Sequence, residues 1–236
     1  MENTITLSSD TFKYPTKEER KKVGEFIPKI NRLKIEYKSA TIEILQDSTF
    51  ENAVRNEDIY WWNNCLDNRL GKLTETRVYV QTHFLRIQEG ASHKSINSKT
   101  DRILLDYYIE IFYYYFFSTR DVMGQLLNIV CDLEIEEHKI FLNETFVEKI
   151  KSTKIKGALS DFLKNTKDSY NIRNSFNHRF TPTHQDFRAK RNIIKEDNKI
   201  SFYSAKEVKV ETFILDIENL MKHLSYLMDE LREEIK

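Results

Sequence analysis

The sequence predicts an all-α protein, an up-down bundle of about five main helices with a small β-hairpin near residues 192–203. The chain of 236 residues has 5 Gly and 3 Pro, and 31% of its residues are charged, which favours helices over sheets. Apolar residues also recur at helical spacing over several long segments. Since no linker is evident, we expect an extended or disordered segment at residues 1–15 and one domain at residues 16–236.

The main helices are predicted from apolar stripes and start signals. They lie approximately at residues 16–46, 56–88, 99–131, 157–180 and 206–235. Thr16 and Glu19 predict a capping box at the start of the first helix. Because Pro28 lies inside its stripe, we expect either a kink there or a short helix that ends before it. A break or kink is also expected near residues 165–168 of the fourth helix.

The third predicted helix is apolar nearly all round between Ile103 and Val130, which is typical of a central buried helix. Consecutive aromatic side chains point around a helix rather than to one surface, so its tyrosines are interpreted as core residues with hydroxyl groups at the rim. These are Tyr107, Tyr108, Tyr113, Tyr114 and Tyr115. The most apolar run is far shorter than the ~20 residues that a bilayer requires, and we expect no membrane span.

The charge distribution restricts any nucleic-acid surface to one region. The formal net charge is zero, but residues 164–195 carry eight Lys or Arg against two Asp. On charge alone, a basic solvated face explains this region equally well. Cys65 and Cys131 are too few for a disulfide scaffold or a zinc site, and the chain opens without a basic and then apolar leader. We therefore expect a cytoplasmic protein.

One segment near the end of the fourth helix combines Arg173, Asn174 and His178. A guanidinium presents a planar fork of donors that matches phosphate oxygens, and an imidazole takes and returns protons near neutral pH. On a straight helix Arg173 and His178 lie about 140° apart. The pair therefore converges only if the last turn tightens before Pro182, if the Arg side chain reaches across, or if a second copy of the chain completes the site.

This segment resembles the signature of the HEPN superfamily, in which Arg173, the polar Asn174, three further residues and His178 lie on a late helix of an all-helical chain. The aromatic helix with Phe116 to Asp121 and Leu126 to Asn128 is similar to the central helix of uncharacterised bacterial members. The resemblance covers roughly the chain from residue 100 onward. It implies a small helical bundle and, in many members, a metal-independent RNase of toxin–antitoxin or antiviral systems.

Spacing alone does not single out this pair. Three further pairs have a spacing that the family allows: Arg179/His184, Arg77/His83 and Arg86/His93. Arg173/His178 is favoured because Asn174 follows the Arg, the helix ends just beyond, and basic residues surround it. Many catalytic relatives carry a Tyr two residues after the His, whereas this chain has Phe180.

The residues do not fit other chemistries. No His has Glu three positions before it, and the chain lacks His-Glu-x-x-His, a Gly-rich phosphate loop and a Ser elbow. We therefore expect no metal and no cofactor. His178 would remove the proton of a ribose 2′-OH, Arg173 would stabilise the phosphorane, and Asn174 would fix the imidazole tautomer as an auxiliary residue. The general acid stays open between His184 and a second His178.

The remaining expectations concern support and partners. Asp121, Asn177 and His184 are candidate supporting residues, and the candidate RNA contacts are Arg179, Arg188, Lys190 and Arg191. The resemblance implies RNA as substrate and an antitoxin or nucleotidyltransferase as a possible partner. The separation of Arg173 and His178 by about 140° predicts a homodimer, because a two-fold axis would supply a second acid and a closed groove. The alternative is a non-catalytic helical module that binds a nucleotide or a protein, in which Arg173 bridges to an acid such as Asp121 and His178 binds helix-end carbonyl groups.

Overall fold

The computed structural model describes residues 14–36, 49–90, 96–178, 181–183 and 208–235, without the side chains of residues 96–98 and 177–178. These residues form six α-helices and one short 3-10 helix at Glu137–Lys139. The α-helices are α1 (Lys17–Gly24), α2 (Phe50–Gly90), α3 (Ile96–Val130), α4 (Glu144–Glu148), α5 (Thr153–His178) and α6 (Val210–Glu234). The described part of the chain contains no strand, and the all-α prediction is confirmed.

Two expected features lie outside the described residues: the hairpin near residues 192–203 and nearly all of the extended or disordered segment at residues 1–15. Of the described helices, none is long and apolar enough to cross a membrane.

Helix α1 is much shorter than the predicted helix at residues 16–46. Its capping box forms as expected, since Glu19 N donates to Thr16 Oγ1 at 3.2 Å and Thr16 N donates to Glu19 Oε2 at 2.7 Å. The helix ends at Gly24, and the described residues beyond it, up to residue 36, are not helical. Of the two alternatives, the short helix is therefore correct, because Pro28 lacks an N–H and disfavours helical backbone in the residue before it.

Helices α2 and α3 form a long antiparallel pair that makes the most extensive helix contact of the described residues. The antiparallel direction follows from the contacts at each end. His83 meets Asp101 near the end of α2, while Arg55 near its start meets Asp132 just after α3. The core of the bundle lies along this pair, and α6 adds a stripe of fully buried residues that includes Ile217, Leu224 and Leu227.

Helix α5 is continuous, so the break expected near residues 165–168 is wrong. Polar side chains in and next to this segment are satisfied within the fold. The Thr166 hydroxyl donates to the Phe162 carbonyl at 2.9 Å, and the Ser169 hydroxyl donates to Asp216 on α6 at 2.8 Å. Helix α5 packs against α6 and α3, with Phe162 stacked on Phe116 at a centroid distance of 5.9 Å.

The boundaries of the other predicted helices differ by a few residues. Compared with the predicted 56–88, 99–131, 157–180 and 206–235, the structure places helices at 50–90, 96–130, 153–178 and 210–234. The largest difference is the start of α2 at Phe50, six residues before the predicted one.

Candidate functional site

Arg173 lines a pocket between α5 and α3. The pocket has a volume of about 230 Å³. Its lining residues are Tyr107, Glu110, Ile111, Tyr113 and Tyr114 from α3 and Arg173 and Phe176 from α5. The pocket therefore places the arginine of the predicted motif beside the aromatic helix.

The guanidinium of Arg173 is held in place but incompletely paired. Its Nη1 donates to Asn174 Oδ1 at 3.2 Å. Its Nε is buried and finds no hydrogen-bond acceptor among the described residues. An unpaired buried donor costs about 1–3 kcal/mol, and each such group calls for an explanation. Independently of the buried Nε, a guanidinium that lines a pocket is suited to bind an oxyanion such as phosphate through its Nη groups.

The inner wall of the pocket is fixed by a hydrogen-bonded clamp that joins three helices. Asp216 on α6 accepts from the Tyr113 hydroxyl at 2.6 Å and from the Ser169 hydroxyl at 2.8 Å. Burial, and then the Asp216 charge, raises the pKa of Tyr113 well above its ordinary value, so Tyr113 remains a donor. The Tyr113 ring also lies 5.6 Å from the Phe176 ring. We call Asp216, Tyr113 and Ser169 the Asp216 clamp.

The rim of the pocket consists of tyrosines that are exposed. Tyr107 is 56% exposed and Tyr114 is 51% exposed, while Tyr113 is fully buried. The interpretation of the tyrosines as core residues is correct for Tyr113 and wrong for Tyr107 and Tyr114. The sequence did contain a signal, because Tyr107, Glu110, Ile111 and Tyr114 have the spacing of one helix face.

Asp121 does not support Arg173 in this structure. Its carboxylate is mostly exposed and pairs with the neighbouring Arg120 at 3.4 Å. Since Asp121 lies eleven residues after Glu110 on α3, the two are about 16 Å apart along the helix axis. Arg120 instead contacts the ring faces of Tyr170 and Phe117, at 4.6 and 5.1 Å.

The second half of the motif is described in its backbone alone. Helix α5 is helical through His178, so the expected tightening of the last turn is not observed at this residue. The side chains of Asn177 and His178 lie outside the described part of the chain, as do Arg179, His184, Arg188, Lys190 and Arg191. The roles assigned to these residues stay predictions.

The rival pair Arg77/His83 lies in the core. The Arg77 side chain is 0% exposed and pairs with Glu218 at 3.4 Å. His83 Nδ1 lies 2.7 Å from Asp101 Oδ1, and its ring stacks on Tyr108 at 5.6 Å. These contacts give both side chains structural partners and no access to a phosphodiester.

Other charged contacts near this pair are structural as well. Arg86 binds Glu19 at 2.6 Å and joins α1 to α2. In the described ranges, no group of three or more His, Cys, Asp or Glu side chains is arranged to hold a metal ion.

The structure is a helical bundle with a pocket that Arg173 of α5 lines. The family model described as Cthe2314-like HEPN matches residues 62–236. This chain therefore belongs to the HEPN superfamily. The match begins inside α2, well before residue 100, where the resemblance was expected to begin. No curated protein and no solved structure matches the chain significantly.

Proposed function

We propose that this HEPN protein is a metal-independent endoribonuclease that cleaves single-stranded RNA. The observation that carries the proposal is the position of Arg173, which lines a pocket with exposed tyrosines and whose guanidinium makes one hydrogen bond, to Asn174, in the described structure. A phosphate oxygen can accept from the Nη groups of Arg173, and aromatic rings give single-stranded bases a stacking surface.

The proposed chemistry is a transesterification within the RNA. His178 removes the proton of a ribose 2′-OH, and the 2′-oxygen attacks the adjacent phosphorus while the bond to the 5′-oxygen breaks. Arg173 donates to the phosphorane oxygens, and Asn174 orients Arg173 through its 3.2 Å hydrogen bond. Asn174 Oδ1 has a second lone pair that can accept from one ring N–H of His178, which leaves the other ring nitrogen unprotonated to act as the base. The proton for the leaving oxygen comes from His184 or from the His178 of a second subunit.

We propose that RNA binding extends beyond the pocket along a basic surface. Lys164 and Lys167 are exposed on α5, on the chain leading to Arg173. Residues Arg179, Arg188, Lys190 and Arg191 are proposed to continue this surface. The superfamily also supports a toxin–antitoxin or antiviral setting, with an antitoxin or nucleotidyltransferase as partner.

The direct test is RNA cleavage in excess EDTA. The wild-type protein should cleave single-stranded RNA to products with 2′,3′-cyclic phosphate and 5′-hydroxyl ends, and DNA, which lacks the 2′-OH, should stay intact. Arg173→Ala and His178→Ala should each reduce the rate by about 10²- to 10⁴-fold. Lys222→Ala, which removes an exposed cation on α6, should cleave like wild type.

Two results would refute the nuclease proposal: a wild-type protein that leaves every RNA intact, or a His178→Ala variant that cleaves normally. Each variant must melt within a few degrees of wild type, so that lost activity is not lost folding.

A second candidate function is a non-catalytic module that binds RNA or nucleotide. It is favoured by the regular helix through His178, which keeps the Arg and His positions about 140° apart within one chain. In that case Arg173→Ala should weaken RNA binding, and His178→Ala should leave RNA binding unchanged. Neither wild type nor either variant should cleave RNA. Fluorescence anisotropy with labelled RNA separates this outcome from the nuclease proposal.

A further inference from the structure

Glu110 is a carboxylate in a pocket that otherwise suits an anion. It is exposed and lines the same pocket as Arg173. Among the described residues it has neither a hydrogen bond nor an ion pair. An ionised carboxylate only accepts hydrogen bonds and repels a phosphate. Glu110 therefore offers two acceptor oxygens to a ligand group that donates.

Two tyrosines lie on either side of Glu110 along the same face of α3. Tyr107 precedes it by three residues and Tyr114 follows it by four, so each is about one helical turn away. The Tyr107 ring packs edge-on against the Tyr108 ring, with the ring centroids 5.3 Å apart. The Tyr114 ring packs in the same way against the Tyr115 ring, with the centroids 5.5 Å apart, and the interplanar angle is 70° in both pairs. Both rings are thus oriented by their neighbours while about half of each side chain stays exposed. Such rings are suited to stack on a nucleobase.

The size of the pocket limits the ligand. Its volume of about 230 Å³ is below the ~300–1,000 Å³ that is usual for sites of drug-sized ligands. The pocket therefore accepts one base rather than a dinucleotide, while Arg173 at its edge contacts the adjoining phosphate.

We infer that Glu110, Tyr107 and Tyr114 form a guanine-recognition subsite. Guanine presents two neighbouring donors on its Watson–Crick edge, N1–H and the N2 amino group, which match the two oxygens of one carboxylate. Adenine, cytosine and uracil each present one donor beside at least one acceptor, and that acceptor would face the carboxylate. The inference rests on the proposed function, because it names the base that an RNA substrate places in this pocket.

The test measures binding and cleavage separately. In a His178→Ala background, fluorescence anisotropy would compare labelled oligouridine RNAs that carry a single G, A or C at one position. The RNA with G should bind roughly tenfold more tightly than the others. Adding Glu110→Gln should remove most of this preference, since a carboxamide offers one acceptor, whereas Glu110→Asp should retain part of it. Glu148→Gln, at an exposed glutamate on α4, should leave it unchanged.

Stacking gives a second, independent readout. Tyr107→Ala and Tyr114→Ala should weaken binding of every RNA without changing the ranking of bases. Tyr226→Ala, which removes a 58% exposed tyrosine on α6, should not weaken binding. Wild-type cleavage sites, mapped by sequencing, should lie next to G.

The outcomes distinguish the subsite from the nuclease. If the His178→Ala protein binds RNA without a base preference, or if Glu110→Gln keeps the G preference, the subsite is refuted while the RNA function stands. If neither wild type nor His178→Ala binds or cleaves any RNA, the proposed function fails and the subsite fails with it.

Discussion

At the scale of single residues, Arg77 carries a positive charge in the core with one weak partner. Its Nη2 lies 3.4 Å from Glu218, and its Nε and Nη1 are buried without a hydrogen-bond acceptor in the described structure. Burial lowers the pKa of Arg77 to about 10, and the Glu218 charge offsets only part of that effect. A buried guanidinium with so few partners contributes little to stability.

We therefore predict that Arg77→Met keeps or raises the free energy of unfolding, by up to about 4 kcal/mol, because the side chain of similar length removes a desolvated charge. Urea denaturation measures the change. Arg77→Ala is the matched comparison and should be destabilised, since it also leaves a cavity. A loss of more than about 1 kcal/mol in Arg77→Met would show that the buried charge does stabilise the fold.

His83 gives the protein a pH-dependent stability. Burial lowers the pKa of His83 below its ordinary value of 6.5, and the Asp101 hydrogen bond and charge offset part of this. Arg86 lowers it further and Glu19 raises it. The unfolded chain therefore binds the proton more readily than the folded one. The stability that neutral His83 contributes is present above pH 6.5 and is lost as the pH falls through the lowered pKa.

The corresponding prediction concerns the slope of stability against pH. From neutral pH downward, wild type should lose unfolding free energy faster than His83→Gln, by at most about 1.4 kcal/mol per pH unit. Urea midpoints collected at closely spaced pH values give both slopes. His138→Gln, at a 73% exposed side chain, should keep the wild-type slope. Parallel slopes for wild type and His83→Gln would contradict the role assigned to His83.

At the scale of elements, the sequence predicted where a helix would form better than where it would end. The start of α1 followed from the capping pair Thr16 and Glu19, which interact within one turn. The continuity of α5 did not follow, because the Ser169 hydroxyl is satisfied by Asp216, 47 residues later. Partners at such a distance leave no local pattern in the chain.

The candidate site was predictable to a similar extent. Arg173 and Asn174 were identified because they are adjacent in a short motif, and they do share a hydrogen bond. Glu110 and Tyr114 were missed, because their position beside Arg173 depends on how α3 packs against α5. The same packing leaves Asp121 too far along α3 to pair with Arg173.

The Asp216 clamp is the polar contact that joins α3, α5 and α6 at the pocket. We predict that Asp216→Leu lowers the free energy of unfolding by about 2 kcal/mol or more, since it leaves the buried Tyr113 and Ser169 hydroxyls without an acceptor. Tyr113→Phe and Ser169→Ala added to Asp216→Leu should recover part of the loss, because no unpaired donor then remains. Chemical denaturation of wild type, Asp216→Leu, Tyr113→Phe/Ser169→Ala and the triple variant gives the coupling. Simple additivity of the losses would mean that the clamp does not act as a unit.

At the scale of the whole molecule, the helical backbone through His178 bears on how many chains form one site. In the described residues of α5, the last turn is regular up to His178, so one of the three routes by which Arg173 and His178 were expected to converge, a tightening of this turn, is not observed there. The remaining two are an Arg side chain that reaches across within one chain and a site completed by a second copy. A two-fold axis near the end of α5 would place Arg173 of one subunit beside His178 of the other, with His184 as the candidate acid.

We therefore predict a homodimer whose active sites are shared between subunits. Light scattering at micromolar concentration should give twice the mass of the 28.3 kDa chain. If Arg173→Ala and His178→Ala proteins are unfolded together and refolded as a mixture, half of the dimers carry one of each chain, and one of their two sites has both native residues. The mixture should then regain about a quarter of the wild-type cleavage rate, although each variant alone is inactive. Arg173→Ala refolded alone is the control. A monomer that cleaves RNA, or a dimeric mixture that stays inactive, would assign both residues to one chain.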